Sequence, residues 1–348
     1  MSHRRFDTRI HDSVRGAGAF AVAAMRVTRN FCGVSIAAGL VAGSVQTAFG
    51  AGYPVKPVRI VVGFAPVGGA DVVTRILSQK LTAGLGQTVI VDNRPGAGGS
   101  IGAALVAASA PDGYTLLGVS SSYAVIPILY KNLPFDPVKD LVPVALIAEA
   151  PLLLVVHPSL PLHSVGELIT YARTKPDQLN FASGGEGTSG FLAGELFKRL
   201  AGVNIIHVPY KGAGPALVDV IAGQVQMTFS SMLASLPHVK SGALRALAVT
   251  STQRSPVLPQ LPTVAEAGVN GYSRTTWYGV LAPARTPASI VARLNAEIVA
   301  AVNSSEVESK LMTDGARPKA GTPQQFHDYL LAEIALARQI IQKAGVPQ

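Results

Sequence analysis

The amino-acid sequence predicts an α/β protein in which mostly parallel sheets are flanked by helices. Short β-branched runs alternate with helical patterns from residue 58 onward. Several of those runs are continuously apolar, as in strands covered on both faces. Explicit helix-start signals stand between them. The composition agrees: of 348 residues, 48% are hydrophobic and only 14% charged, which excludes a disordered chain. Only one apolar run approaches membrane length, so a polytopic membrane protein is excluded as well. One Cys offers neither a disulfide framework nor a cysteine metal site.

Strands are expected at Val58–Phe64, Thr88–Asp92, Tyr114–Ser120, Leu152–His157, Leu179–Ser183, Asn204–Tyr210, Gln226–Ser230, Arg245–Thr250 and Trp277–Ala282. Capping-box spacing marks helix starts at Ser164–Glu167, Thr263–Glu266 and Thr322–Gln325. Pro215, Pro287 and Pro323 stand where a first helical residue belongs, and Gly223 where a helix stops. No linker divides the chain into consecutive domains. Two lobes therefore require the chain to cross between them more than once, and Pro151–His157 and Tyr272–Pro283 are the expected crossings. The corresponding division is residues 51–152 plus 275–348 for one lobe and 153–274 for the other.

Residues 1–50 read as an export segment rather than as fold. Arg26 and Arg29 precede an apolar, small-residue run from Val34 to Val45, and Ala48-Phe49-Gly50 supplies small residues before a cut at Ala51. The run is too short and glycine-rich for an anchor, and Met25 is a candidate true start. With the segment removed, the 29 basic residues fall to 23 and the 20 acidic ones to 18, and no Cys remains. An exported, cysteine-free chain suits the bacterial cell envelope, where no disulfide is obligatory. The modest positive charge has no Lys/Arg run behind it, so nucleic acid is not an expected partner.

Three glycine-rich turns follow strands and precede helices: Phe64–Asp71 (FAPVGGAD), Asn93–Ser100 (NRPGAGGS) and Ala182–Gly190 (ASGGEGTSG). Such turns let a backbone approach a ligand, and a helix start offers unpaired N–H groups to an anion. In open α/β sheets ligands bind at such places. Each turn taken alone is equally explained by Asp71, Thr188 or Ser189 capping a helix; the same design in two halves of the chain favours a shared cleft. Gly185–Gly190 matches GxGxxG, but Ile205, Ile206 and His207 occupy the place of a ribose-binding acid, so no nicotinamide cofactor is expected.

Catalytic constellations are missing. There is no HExxH and no GxSxG, since Gly118–Ser122 fails at its last position. His157, His163, His207, His238 and His327 lack ligand spacing, so no metal site is expected. His207, in an apolar strand without a paired nucleophile, reads as a structural histidine, and Arg94 as a structural hydrogen-bond donor.

The segments YPVKPVRIVVGFAPVGGAD, VIVDNRPGAGGSIGA, APDGYTLL, LYKNLPFDPVKDLVPV, LNFASGGEGT, HVPYKGAGPAL and GALRALAVTS run in order through residues 53–251. Together they resemble the Bug family, the periplasmic substrate-binding components of tripartite tricarboxylate transporters. The resemblance implies a two-lobed Venus-flytrap fold of the type II periplasmic binding proteins, with a small carboxylated ligand between the lobes and no cofactor. Carried over by position, it implies ligand contacts at Phe64, Ala65, Pro66, Gly68, Gly69 and Asp71 from one lobe. Ser183, Gly184, Gly187 and Thr188 are implied from the other, with Tyr210, Ser120 and Ser122 at the rim. Three departures from the family pattern stand out. Val67 replaces a usual glycine, so a negative φ is expected there. Phe191 replaces a usual His, and Ser230, counted with the site, replaces a usual acid; both point toward a less polar ligand.

The leading reading is an extracytoplasmic receptor, expected to be monomeric, that delivers a small organic acid to membrane permease subunits. A sensor presenting its closed form to a membrane sensor kinase remains open, and an exported α/β hydrolase is disfavoured by the missing nucleophile elbow. Protein purified from the periplasm is expected to begin at or near Ala51 by N-terminal sequencing. A mature chain that starts before Met25 would overturn both the export and the start-site readings.

Overall fold

The computed structural model describes residues 52–344, so the expected export segment and the cut at Ala51 lie outside the described residues. The strands are β1 (Val58–Val62), β2 (Val89–Asn93), β3 (Thr115–Ser120), β4 (Leu141–Val156), β5 (Asn180–Ser183), β6 (Ile206–Pro209), β7 (Met227–Ser231), β8 (Arg245–Val249), β9 (Thr275–Pro283) and β10 (Arg317–Pro318). The helices are α1 (Gly69–Leu85), α2 (Ser100–Ala107), α3 (Ile126–Leu129), α4 (Val165–Thr174), α5 (Ser189–Ala201), α6 (Ala213–Ile221), α7 (Met232–Lys240), α8 (Ala288–Val302), α9 (Ser305–Thr313) and α10 (Pro323–Ala344).

The strand order is β2-β1-β3-β9-β4-β7-β5-β6, with β8 and β10 also paired to β4. β1 pairs in parallel with β2 and β3, and β5 with β6 and β7. These parallel ladders are the expected βα units. The crossing strands β4 and β9 run antiparallel to their neighbours, which makes the sheet mixed. β4 is the spine. Its first part pairs with β9 and β10, and its last part pairs with β7 and β8, so one strand belongs to both lobes. The strand expected from Leu152 begins instead at Leu141, with Pro143 and Pro151 inside it. The structure accommodates Pro143 beside a register shift and Pro151 opposite Thr275, at the end of the β9 ladder.

The C-terminal helix is a second tie between the lobes. Phe326, Leu330 and Ile334 of α10 join a core with Trp277 and Leu281, while Ala337 and Ile341 join the core around Leu154 and Phe197. Between those halves lies Arg274, 8% exposed, with Glu333, Tyr272 and Tyr329 as its charged and polar surroundings. Burial pushes its guanidinium pKa down, and its Nε lacks a hydrogen-bond partner.

Local signals are answered unevenly. Ser164 Oγ accepts from Glu167 N–H at 3.1 Å at the start of α4, and Thr322 and Gln325 cap α10 reciprocally at 2.8 and 3.2 Å. Thr263 and Glu266 make the same reciprocal bonds at 3.0 Å, yet only one turn forms. Gly268, at φ +105°, turns the chain away directly after Ala267. Pro323 opens α10, whereas Pro287 precedes α8 and Pro215 is the third residue of α6.

Val67 corrects a sequence expectation outright: its φ is +71°, not negative. Its N–H donates to Asp71 Oδ2 at 3.0 Å, and the side chain is 51% exposed at the tip of the turn. The bond to Asp71 and the tight seat of Pro66 beside Gly214 hold the strained turn in place. A β-branched residue in the left-handed region costs on the order of 1–3 kcal/mol. Val67→Gly is therefore expected to raise unfolding stability by roughly 1 kcal/mol, after glycine's larger chain entropy is deducted. Denaturant melts of the two proteins measure this, and a loss of stability would show that Val67 is unstrained.

Candidate functional site

The turn Phe64–Gly68 ends β1's excursion and starts α1, with Gly68 in an extended conformation as the N-cap. Across from it, β5 leads through Ser183–Gly187 to Thr188, the N-cap of α5, whose Oγ1 accepts from Phe191 N–H at 3.4 Å. A third strand-to-helix turn, Lys211–Gly212, starts α6, and a fourth, at Ser231, starts α7. All four helix starts meet at one cavity of about 60 Å³. Gly68, Gly69 and Ala70 line it from α1, Thr188, Ser189 and Gly190 from α5, Ala213 from α6 and Ser231 from α7. The first-turn N–H groups of a helix have no partner inside it, and each start carries a partial positive charge.

Hydroxyls complete the wall. Ser120, Ser122, Ser183, Thr228, Ser230, Thr276 and Tyr278 all face the cavity, and among the described residues no Asp, Glu, Lys, Arg or His lines it. Several of these groups tie the lobes together. Ser121 Oγ lies 2.8 Å from Ser189 Oγ and 3.0 Å from Thr276 Oγ1, and Ser231 Oγ lies 2.9 Å from Tyr278 Oη. Burial pushes the Tyr278 pKa up to about 12, so its hydroxyl stays neutral and able to donate. Backbones approach closely here. A methyl on Gly69 would collide with Tyr278 Oη and Ser231 Oγ, and one on Gly214 would collide with the Pro66 carbonyl.

Of the residues singled out in the sequence, Phe64, Gly68, Gly69, Ser120, Ser122, Ser183, Gly184, Thr188 and Ser230 are brought together around the cavity. Five others stand elsewhere. Ala65 and Pro66 touch the Gly212–Gly214 turn of the opposite lobe. Gly187, at φ +78°, abuts Val125 and Leu129. The Tyr210 hydroxyl donates to Asp219 Oδ2 at 2.6 Å. Asp71 turns its carboxylate to Val67 N–H, Arg75 and Asn93. Burial works against that charge, but the hydrogen bonds from Arg75, Asn93 and Val67 outweigh it and hold the carboxyl below its usual range.

Phe191 is buried against His207, with ring centroids 4.8 Å apart, and does not line the cavity, so it has no direct route to ligand polarity. Sequence reasoning missed Ser189, Gly190, Ala213, Ser231, Thr276 and Tyr278. The first two lie in the GxGxxG turn, and Lys211–Gly214 is itself a glycine-rich helix start. Thr276 and Tyr278 carried no signal beyond their place on a crossing strand.

His207 Nε2 lies 2.7 Å from Ser183 Oγ, the spacing of a base and a nucleophile. The pair is built for shape instead. Ser183 Oγ accepts from Gly185 N–H at 3.1 Å and lies 3.3 Å from Gly185 O, which fixes the turn. The imidazole packs between Phe181 and Phe191, and among the described residues no acid hydrogen-bonds its other nitrogen. Burial, aided by the Lys198 charge, lowers its pKa to about 4. Among the described residues no group of His, Cys, Asp or Glu is placed to hold a metal ion.

A two-lobed α/β frame with helix starts converging on an interlobe cavity defines a solute-binding receptor of the periplasmic type. The chain belongs to the family described as the tripartite tricarboxylate transporter family receptor, whose model matches residues 73–346. It is 40% identical to Protein BugT of Bordetella pertussis over 296 residues, 84% of this chain and 90% of that one. Its fold is similar to that of Rpa4515 of R. palustris with adipate, at TM-score 0.82 and 40% identity, covering 84% of this chain and 98% of that one. It is also similar to MatC of Rhodopseudomonas palustris with bound malate, at TM-score 0.78 and 34% identity, covering 83% and 100%.

The depressed His207 pKa predicts how stability follows pH. Below its ordinary value of 6.5 the unfolded chain takes up a proton that the folded protein refuses until about pH 4. Stability is therefore lost as pH falls through that window. The melting temperature of the wild type is expected to drop more steeply from pH 6.5 to 4 than that of His207→Gln. Parallel slopes in the two proteins would show that His207 titrates normally.

Proposed function

We propose that this protein is an extracytoplasmic receptor that captures a small organic acid in the interlobe cavity and delivers it to membrane permease subunits. The observation that carries this reading is the convergence of four helix starts on a cavity without a charged side chain. Each helix start stabilises an anion by roughly 0.3–2 kcal/mol, depending on burial. Together with hydroxyl donors they replace the cation that a carboxylate otherwise requires. The binding contacts are assigned to the first-turn N–H groups of α1 and α5, with Thr188, Ser230, Thr276 and Tyr278 completing the shell.

The relatives support the chemistry: adipate and malate accompany two of the similar structures. The small volume, about 60 Å³, favours a short chain over a bulky one. The family supports a periplasmic location, and the sequence of residues 1–50 supports export through an N-terminal signal. The receptor family supports non-enzymatic action, as do the hydrogen bonds that tie Ser183 to His207 and Gly185. A single receptor chain delivering to a permease is favoured over a sensor-kinase partner by the family's transporter association.

A thermal-shift screen of small acids against their amides tests the carboxylate. Ligand that binds only the folded state raises the melting temperature, and the amide of the best acid is expected to bind at least about tenfold more weakly. Gly69→Ala is expected to weaken binding by at least about tenfold as well, because the added methyl meets Tyr278 and Ser231 at the donor turn. Equal shifts from acid and amide would overturn the backbone clamp, and full affinity in Gly69→Ala would place the ligand elsewhere.

A further inference from the structure

A second cavity, of about 280 Å³, opens between the loop 251–257 of one lobe and the segment 312–317 of the other. It is larger than the 60 Å³ acid cavity, and the hinge separates the two. Consecutive residues of a strand face opposite sides. Thr275 of β9 lines this second cavity, while Thr276 lines the first and bonds Ser121 and Ser189 there. Pro151 and Glu149 of β4, the other crossing strand, also line it. Its walls therefore sit on both lobes and on both strands that join them.

Two arginines and one acid line it. Arg254, from one lobe, has Nε bound to Glu266 at 2.8 Å and Nη1 3.4 Å from the Pro259 carbonyl. Arg317, from the other, has no side-chain partner among the described residues. The one acid in the wall, Glu149, is already engaged by Lys319 and by the Tyr329 hydroxyl. Apolar surface from Pro151, Pro256, Val257 and Met312 stands beside these arginines. An anion seated between Arg254 and Arg317 is attracted by both lobes at once and holds them in the arrangement seen here.

We propose that this cavity is a second ligand site, for a small organic anion with an apolar body, and that filling it favours the closed lobes and tightens the acid cavity's hold. The coupling rests on the acid-receptor reading; the site does not. Because binding free energies are reciprocal, the acid must tighten the second ligand by the same factor. The differential contact is with lobe positions, which is the only way that a ligand shifts such an equilibrium.

Benzoate is the probe, since its ring suits the larger cavity and its carboxylate the two arginines. Backbone NMR of the full mature chain, titrated with benzoate to millimolar concentration, is expected to give saturable shifts at residues 251–257 and 312–317. Arg317→Gln, on the exposed rim and remote from the acid cavity, is expected to lose those shifts while keeping the native spectrum. Shifts confined to the acid cavity, or none, would overturn the site. Calorimetric titration with adipate is then expected to show roughly threefold tighter binding at saturating benzoate. Unchanged or weaker adipate binding, with benzoate shifts present at the second cavity, would overturn the coupling. Failure of adipate and other acids to bind at all would count against the receptor reading alone, because the NMR shifts judge the second site independently.

Discussion

The cavity on which four helix starts converge depends on one constraint: backbones must come close enough for main-chain donors to converge. Four helix starts reach one cavity because glycine stands where any side chain would intrude. Gly69 meets Tyr278 and Ser231, Gly184 lies where a Cβ would be 2.7 Å from Ala213 N, and Gly214 receives the Pro66 carbonyl. The hydroxyl bonds Ser121–Ser189, Ser121–Thr276 and Ser231–Tyr278 depend on the same close approach. Much of the polar chemistry at the interlobe junction is therefore a consequence of small residues at the facing turns.

Apolar contacts reinforce that approach. Leu233 of α7 joins the core built on β1 and α1, while Val125 and Ile128 join the core of the opposite lobe. β4 and α10 each contribute to both lobes, so a rotation of one against the other is concentrated where those elements cross. Arg274 and Glu333 stand at that crossing, and the larger cavity opens beside it. Hinge closure is a recurrent switch in two-lobed receptors, and here the crossing strands β4 and β9 line both cavities.

Neutral hydroxyls suit this site better than fixed charges. A lysine or arginine would bind any anion strongly and discriminate little by shape, whereas oriented N–H groups and hydroxyls impose directions on their partner. The buried Tyr278 keeps its proton, and the neutral His207 holds Ser183 in register. The charged residues nearest these turns serve structure instead: Asp71 is spent on Val67, Arg75 and Asn93 rather than offered to a ligand.

The α/β class, the strand positions and the glycine turns were legible in the sequence because each is a local property. Hydrophobic period, capping residues and turn glycines act over a few positions and need no partner. Phe64, Gly68, Gly69, Ser183, Gly184 and Thr188 stand in or beside those turns, and what singled them out as ligand contacts was the resemblance of the turn motifs to the family. What the tertiary structure decided involves distant partners. Thr276, Tyr278 and Ser231 reach the site only through sheet pairing, and Asp71 is engaged by the Asn93 amide, 22 residues away, as well as by Arg75. The first half of β4 is a strand, despite its prolines, because β9 supplies the ladder. Val67 is held at positive φ by bonds and packing that its own preference opposes. Local preference proposes a conformation at each position, and the contacts made by folding overrule it wherever their combined free energy is larger.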